Sequence, residues 1–330
     1  MSTSIETQST KFWQAVNSAI IEEMERDERV VVAGEDIALA GGPYGVTRGL
    51  LDRFGADRVR DTPISESVIV GLGVGAAAVG LRPIVEIMFF DFTMLAMDQI
   101  VNQAAKFRYF TAGTPLPLVI RTMCGAGGPN GAQHSQNIED WFCQVPGLKV
   151  VMPSGASDCK GLLKSAIRDD DPVLFIETLG LLTTREEVPV GNDHLVPLGV
   201  ADVKRPGRDL TIVTWSREVL FALEAASRLA DEGVEAEVVD VRTLVPLDKD
   251  RILSSVRKTH RVLVVHEAIK RGGYGAEIAS LIAEEAFDDL DAPPKRLAGI
   301  ETPIPYAQHL EKSVVPQVED IVRVAKELVA

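Results

Sequence analysis

Two short segments hold the side chains best placed to do chemistry. The first runs Asp61-Thr62-Pro63-Ile64-Ser65-Glu66 into a small-residue stretch that ends at Gly80. Thr62-Pro63 reads as the opening of a helix, which puts Glu66 in the first turn, where the positive end of the helix dipole favours a carboxylate. Read alone, Glu66 fits an ordinary helix-start acid; acid–base work by the same carboxyl is the alternative. The second segment is Gly125-Ala126-Gly127-Gly128-Pro129-Asn130-Gly131, leading into Ala132-Gln133-His134-Ser135-Gln136. So many glycines serve tight backbone turns close to something, and loops of this kind carry function. His194 falls in a polar stretch, His260 at a helix end, His266 at a strand end and His309 before an exposed Leu310-Glu311-Lys312, so His134 alone of the histidines has such a setting. Its imidazole titrates near neutrality and is a candidate proton carrier; a solvated or structural role stays open.

Other patterns exclude more than they offer. Gly71, Gly73 and Gly75 miss the dinucleotide fingerprint because Ala76 stands where a glycine is needed and the run does not directly follow a strand. Close helix packing is the better account. The chain has no G-x-x-x-x-G-K-[ST], G-x-S-x-G or H-E-x-x-H, which removes P-loop, α/β-hydrolase and zincin chemistry. Arg82, Asp91 and Asp98 read as solvated charges or helix-terminal acids.

The elements that must position these groups follow from periodicity. Helical spacing from Lys11 (Phe12, Ala15, Ile20, Ile21) leads to the buried-strand run Val30 to Ala33 and the acidic break Gly34-Glu35-Asp36. Pro83 to Phe90 reads as a strand, Asp91 to Tyr109 as a helix and Leu116 to Thr122 as a strand. Leu148 to Met152, a helix from Ser157 to Arg168, and Val173 to Ile176 continue the alternation. Strands apolar throughout, alternating with helices, predict α/β architecture with a doubly wound, mostly parallel sheet whose ligands sit beyond the carboxyl ends of the strands. The pattern lapses around Pro189, Pro197 and Pro206, so we place a linker at residues 191–207 between domains of residues 1–190 and 208–330. The second domain, smaller, has strands at Leu210–Trp215, Ala236–Val241 and Arg261–His266 and helices at Val219–Asp231, Asp248–Thr259, Gly275–Glu285 and Val318–Leu328.

A net charge of −14 argues against a nucleic-acid binder, which concentrates Lys and Arg on one surface. The start, MSTSIETQSTKFW, lacks the basic and apolar regions of a secretory signal, and Val68 to Leu81 falls short of a membrane span. A cytoplasmic protein with no membrane contact is expected. Cys124, Cys143 and Cys159 show no metal-site spacing and read as reduced thiols.

Several ordered motifs then carry a resemblance: Gly34-Glu35-Asp36-Ile37, Asp61-Thr62-Pro63-Ile64-Ser65-Glu66, Gly80-Leu81-Arg82-Pro83, Gln133-His134-Ser135-Gln136 and Pro146-Gly147-Leu148-Lys149-Val150-Val151. Together they resemble the beta subunits of pyruvate, branched-chain 2-oxo acid and acetoin dehydrogenases. Gly272-Gly273-Tyr274-Gly275 and Thr302-Pro303-Ile304-Pro305-Tyr306 extend the likeness towards the last helix. The resemblance implies a transketolase-like pyrimidine-binding domain, a transketolase-type C-terminal domain, and dependence on thiamine diphosphate with Mg2+. It further implies an α2β2 heterotetramer that decarboxylates a 2-oxo acid and passes the acyl group to a lipoyl acyltransferase core. The GDG…NN motif that holds the cofactor's diphosphate through the metal ion is absent from this chain; the resemblance places it on an alpha subunit.

By the same resemblance Glu66 hydrogen-bonds the pyrimidine ring of the cofactor, Phe92 stacks on that ring, Met88 walls the pocket, and His134 stands near the substrate, positioning it or moving a proton in acyl transfer. Main-chain carbonyls of Leu118, Ala166, Asp169 and Asp171 are implied to hold a potassium ion. Glu35 would join an acidic chain between active sites, although Leu95 stands where some relatives carry an acid. The substrate cues divide. The C-terminal stretch from Thr302 to Val318 looks pyruvate-type, while Ala104–Tyr109 and Ile120–Gly127 look acetoin-type. Pyruvate is the first expectation, acetoin or a branched-chain 2-oxo acid the alternative. A split transketolase would be expected to show sugar-phosphate-binding basic residues in place of Gln133-His134-Ser135-Gln136, and a non-catalytic scaffold would leave Glu66 and His134 idle.

Overall fold

The computed structural model describes residues 6–191 and 194–330. The chain divides into two compact units, one built from the residues up to Cys124 with Phe142–Leu198, the other from Gly125–Trp141 with Gly199–Ala330. The first unit begins β1 (Thr7–Lys11), α1 (Phe12–Arg26), β2 (Val30–Gly34), α2 (Leu50–Phe54), β3 (Val59–Asp61), α3 (Glu66–Ala78), β4 (Arg82–Ile87), α4 (Phe107–Phe110) and β5 (Val119–Cys124). After α5 (Glu139–Cys143), where the chain returns from the second unit, come β6 (Lys149–Val151), α6 (Ala156–Arg168), β7 (Val173–Thr178) and β8 (Arg185–Pro189). Its main strands lie in the order β6-β7-β5-β4-β2-β3, every neighbouring pair parallel, while β1 and β8 pair antiparallel as a separate ribbon.

Strands β4, β5 and β7 are buried along their whole length, as strands covered by helices on both faces must be. Helices α1 and α6 pack together over a core that includes Phe12, Ile20, Met24, Leu162 and Phe175. Helix α3 packs against β4. There Gly73 approaches so closely that a Cβ would lie 2.8 Å from Leu118 Cδ1 and 2.9 Å from Val85 Cγ1, whereas one at Gly75 would meet open space. The packing explanation of these glycines therefore holds at Gly73 and not at Gly75.

The second unit contains β9 (Asp202–Arg205), β10 (Leu210–Thr214), α7 (Glu218–Asp231), β11 (Ala236–Asp240), β12 (Thr243–Val245), α8 (Lys249–Thr259), β13 (Val262–Ile269), α9 (Gly275–Glu285), β14 (Lys295–Gly299), α10 (Gln308–Val314) and α11 (Val318–Val329). Its sheet runs β14-β13-β10-β11-β9 and is parallel except for the β9–β11 pair. Ile212, Leu229, Val238, Leu263 and Ile321 lie in its core. Among the described residues no helix is long and apolar enough to cross a membrane, and Cys124, Cys143 and Cys159 form no disulfide.

Several expectations change. Arg82, expected to be a solvated charge, is 8% exposed and donates to Ile167 O at 2.8 Å. The segment read as one helix from Asp91 to Tyr109 is a 3-10 helix (Phe90–Ala96), a π-helical turn (Asp98–Ala104) and the short α4. A three-residue repeat turns Phe90, Thr93 and Ala96 to the same buried side, and the Ala105 N–H reaches back five residues to Ile100 O at 3.0 Å. Helix α3 starts at Glu66 rather than at Thr62-Pro63, because Ser65 is still extended at φ −160°. Within the stretch expected to be linker, Asp202–Arg205 adds to the edge of the second sheet as β9; residues 192–193 lie outside the described residues.

Candidate active site

Glu66 follows β3, and Met88 and Phe92 follow β4, so all three come after the carboxyl ends of parallel strands, the edge where such sheets bind ligands. Glu66 is the first residue of α3 and only 8% exposed. It is reached from β3 through Thr62, whose N–H donates to Gly34 O at the end of β2 at 2.9 Å. The Asp61 carboxylate accepts the N–H groups of Ala38 (2.7 Å) and Leu39 (3.3 Å), tying the loop after β2 to the end of β3. Met88 and Phe92 follow β4 and are half-buried. The Phe92 ring stands edge-on to Phe89 at 6.2 Å, and the 3-10 helix that carries it packs against α3. Glu35, in the turn after β2, is held above the usual carboxylate range by burial, with Asp36 and Glu66 adding negative charge beside it. The Glu66 and Glu35 carboxyls therefore lie within electrostatic reach of each other.

His134 belongs to the second unit. It is half-buried in a turn closed by its own N–H on Gly131 O at 3.3 Å. The same unit buries several ionisable groups. Burial lifts Glu139 to about 7 even though the Trp215 indole donates to it at 3.3 Å. Burial also raises Glu218 to about 8 against the pull of Arg217. His266 is pushed down to about 4 by burial, with Arg296 nearby, and stacks on Trp215 at 5.3 Å. Gly273 and Gly275 frame this imidazole: a Cβ at either would come within 2.6 Å of it.

The four carbonyls expected around a cation lie where β5 begins and α6 ends. Leu118 O accepts from Val173 N–H at 2.9 Å, Ala166 O from Asp169 N–H at 3.2 Å, and Asp169 O from the Arg82 guanidinium. The Asp171 carboxylate takes Arg108 and Lys149, which hold it below its usual range against the opposing effect of burial. Positive side chains thus already neutralise this corner. Among the described residues, no group of three or more His, Cys, Asp or Glu side chains could hold a metal ion.

Comparison with known proteins gives these positions a context. Residues 8–184 match the transketolase pyrimidine-binding domain and residues 199–321 the transketolase C-terminal domain. The "Pyruvate dehydrogenase E1 component subunit beta-1, mitochondrial" of Arabidopsis thaliana is 49% identical over 318 residues, covering 94% of this chain and 87% of the relative. The "2-oxoisovalerate dehydrogenase subunit beta" of Bacillus subtilis (strain 168) is 47% identical over 317 residues, covering 95% and 97%. The chain belongs to the 2-oxo acid dehydrogenase beta-subunit family. A solved structure titled "Split gene transketolase, inactive beta4 tetramer" aligns with this beta-subunit family member at a TM-score of 0.79 and 23% identity, covering 98% of this chain and 99% of that one, which shows a shared fold. The motifs point to Glu66 and His134 but not to Arg217, Glu218 and Glu267, all nearly buried in this beta subunit, and Glu311, expected to be exposed, is 2% exposed. Their only advance signal was position: Arg217-Glu218 and His266-Glu267 lie at or just beyond the carboxyl ends of predicted strands.

Proposed function

We propose that this chain is the beta subunit of a thiamine-diphosphate-dependent dehydrogenase that decarboxylates pyruvate and delivers the acyl group to the lipoyl group of an acyltransferase core. The observation that carries the reading is Glu66, a nearly buried carboxyl opening α3 at the carboxyl edge of a parallel sheet, on the same edge as Met88 and Phe92. When bound, thiamine diphosphate supplies the electron sink that lets a 2-oxo acid lose carbon dioxide. Glu66 would hold a proton shared with the pyrimidine ring nitrogen, Phe92 would stack on that ring, and Met88 would exclude water beside it. His134 would position the substrate or carry a proton during acyl transfer.

The diphosphate end needs a partner. The GDG…NN motif does not occur in this sequence, and the described residues offer no metal cluster, so an alpha subunit would bring the Mg2+ ligands. The α3 surface fits such a companion: Val68 and Leu72, a helical turn apart, are 59% and 48% exposed, and Ile64 and Val79 extend the stripe. A potassium ion at the Leu118, Ala166, Asp169 and Asp171 carbonyls is a further part of the proposal; their proximity favours it and the Arg82 guanidinium competes with it. Residues 1–190 would form the pyrimidine-binding domain and residues 208–330 the C-terminal domain, joined through 191–207.

Titration calorimetry with thiamine diphosphate and Mg2+ tests this. The isolated chain should bind weakly or not at all, and the assembly with an alpha subunit should bind and reduce an artificial electron acceptor with pyruvate. Tight binding by the isolated chain would overturn the split site, and turnover only with branched-chain 2-oxo acids or acetoin would overturn the substrate.

A further inference from the structure

We infer that Glu267 is the positioning residue of the His134 loop, its carboxylate fastening both ends of residues 126–137. The inference rests on the reading of His134 given above. At one end of the loop, the Ala126 N–H donates to Glu267 Oε1. At the other end, Asn137 Nδ2 donates to the same oxygen at 2.9 Å. The second carboxylate oxygen, Oε2, is held by Arg217 Nη2 at 2.7 Å, and Arg217 also reaches Glu218 at 3.3 Å. Next to the first anchor, the Gly127 N–H donates to Glu311 Oε1 at 3.1 Å. Glu267 and Glu311 are 9% and 2% exposed, so these charge-assisted bonds act with little competition from water.

The loop needs such an anchor. Gly127 and Gly131 adopt φ of +114° and +72°, and a glycine-rich segment keeps wide backbone freedom unless its ends are fixed. Fixing both ends on one oxygen restricts where His134 can lie. A carboxylate suits the task because these three partners all donate: a backbone N–H, a side-chain amide and a guanidinium. Its aim follows from β13, whose register against β14 shifts between His266 and Ile269, a kind of irregularity that redirects side chains. The Glu267→Gln side chain keeps the shape but turns an amide N–H2 towards either Arg217 or the loop.

The test uses the enzyme assembled with its partner subunit. E267Q should speed hydrogen–deuterium exchange across residues 126–137 about tenfold and lower kcat for acylation of a free lipoyl domain about tenfold, with KM for the 2-oxo acid within about twofold. H134A should lower the same kcat and leave loop exchange unchanged. The double variant E267Q/H134A should lose no more activity than H134A, because one residue acts through the other. Additive losses, or wild-type exchange and turnover in E267Q while H134A is impaired, would overturn the positioning role and leave the reading of His134 standing. Wild-type turnover in H134A would overturn that reading and the positioning role with it, whatever the exchange shows. Should E267Q fail to assemble, N137A removes one anchor only. Faster exchange at residues 131–137 with a several-fold lower kcat is then expected, and unaltered exchange would overturn the inference.

Discussion

The Glu66 side chain opens α3 and is nearly buried. Glu66→Gln keeps the shape and removes the acid. In the assembled enzyme, proton exchange at the reactive carbon of the cofactor, followed by NMR, should slow about 100-fold or more, while Tm stays within a few degrees. Exchange at the wild-type rate would leave Glu66 as a helix-start acid. Glu218 gives a second residue-scale expectation. Its folded value of about 8 stands above the usual 4.5 because of burial, so it binds its proton more tightly folded than unfolded. The stability it contributes is complete below about pH 4.5 and is lost as pH rises through 8; Glu139, lifted to about 7, acts in the same direction. E218Q stays neutral throughout, so its Tm relative to wild type should climb by a few degrees between pH 5 and pH 8 in calorimetry, and a constant difference would show that Glu218 is already ionised. None of this was legible beforehand, since a buried glutamate and a solvated one are the same letter. Glu66 and His134 were legible only because their neighbours form recognisable motifs.

Among the elements, the central strands of the first unit carry a buried charge group. Arg121 on β5 reaches Glu86 on β4 at 2.5 Å and Glu177 on β7 at 2.6 Å, all three at most 3% exposed. Desolvation pushes both carboxyls up, and the guanidinium between them opposes it. Arg121→Met would strand two carboxyls among apolar strands, and chemical denaturation should show a loss of about 3–5 kcal/mol. A loss below about 1 kcal/mol would mean that the strands tolerate the pair by protonation. The strands around this group were readable because continuous apolar runs have few other places to go. The β1–β8 ribbon was not: Thr-Gln-Ser-Thr-Lys and Arg-Glu-Glu-Val-Pro are largely exposed and joined by backbone pairing, which leaves no hydrophobic pattern. The stretch from Phe90 to Ala104 was misread because apolar spacing tells little between a 3.6-residue period and neighbouring 3-10 and π turns.

For the whole molecule, an acidic chain of net charge −14 that nonetheless exposes Val68 and Leu72 on α3 is built for company. Val68→Asp and Leu72→Asp should leave the circular-dichroism melt of the isolated chain within a few degrees, since both side chains face outward, yet weaken assembly with the alpha subunit at least tenfold in sedimentation velocity. Unchanged assembly would move the contact to another face. The path of the chain between the two units also sets an order of events. Residues 125–141 belong to the second unit, and 184 residues separate Gly127 from Glu311. At ribosomal speeds of about 5–20 residues per second, the histidine loop emerges roughly 10–40 s before its last anchor has been synthesised. A nascent chain halted at Leu198 would therefore hold strands β1 to β8 and a His134 loop whose anchors, Glu267 and Glu311, have yet to be made.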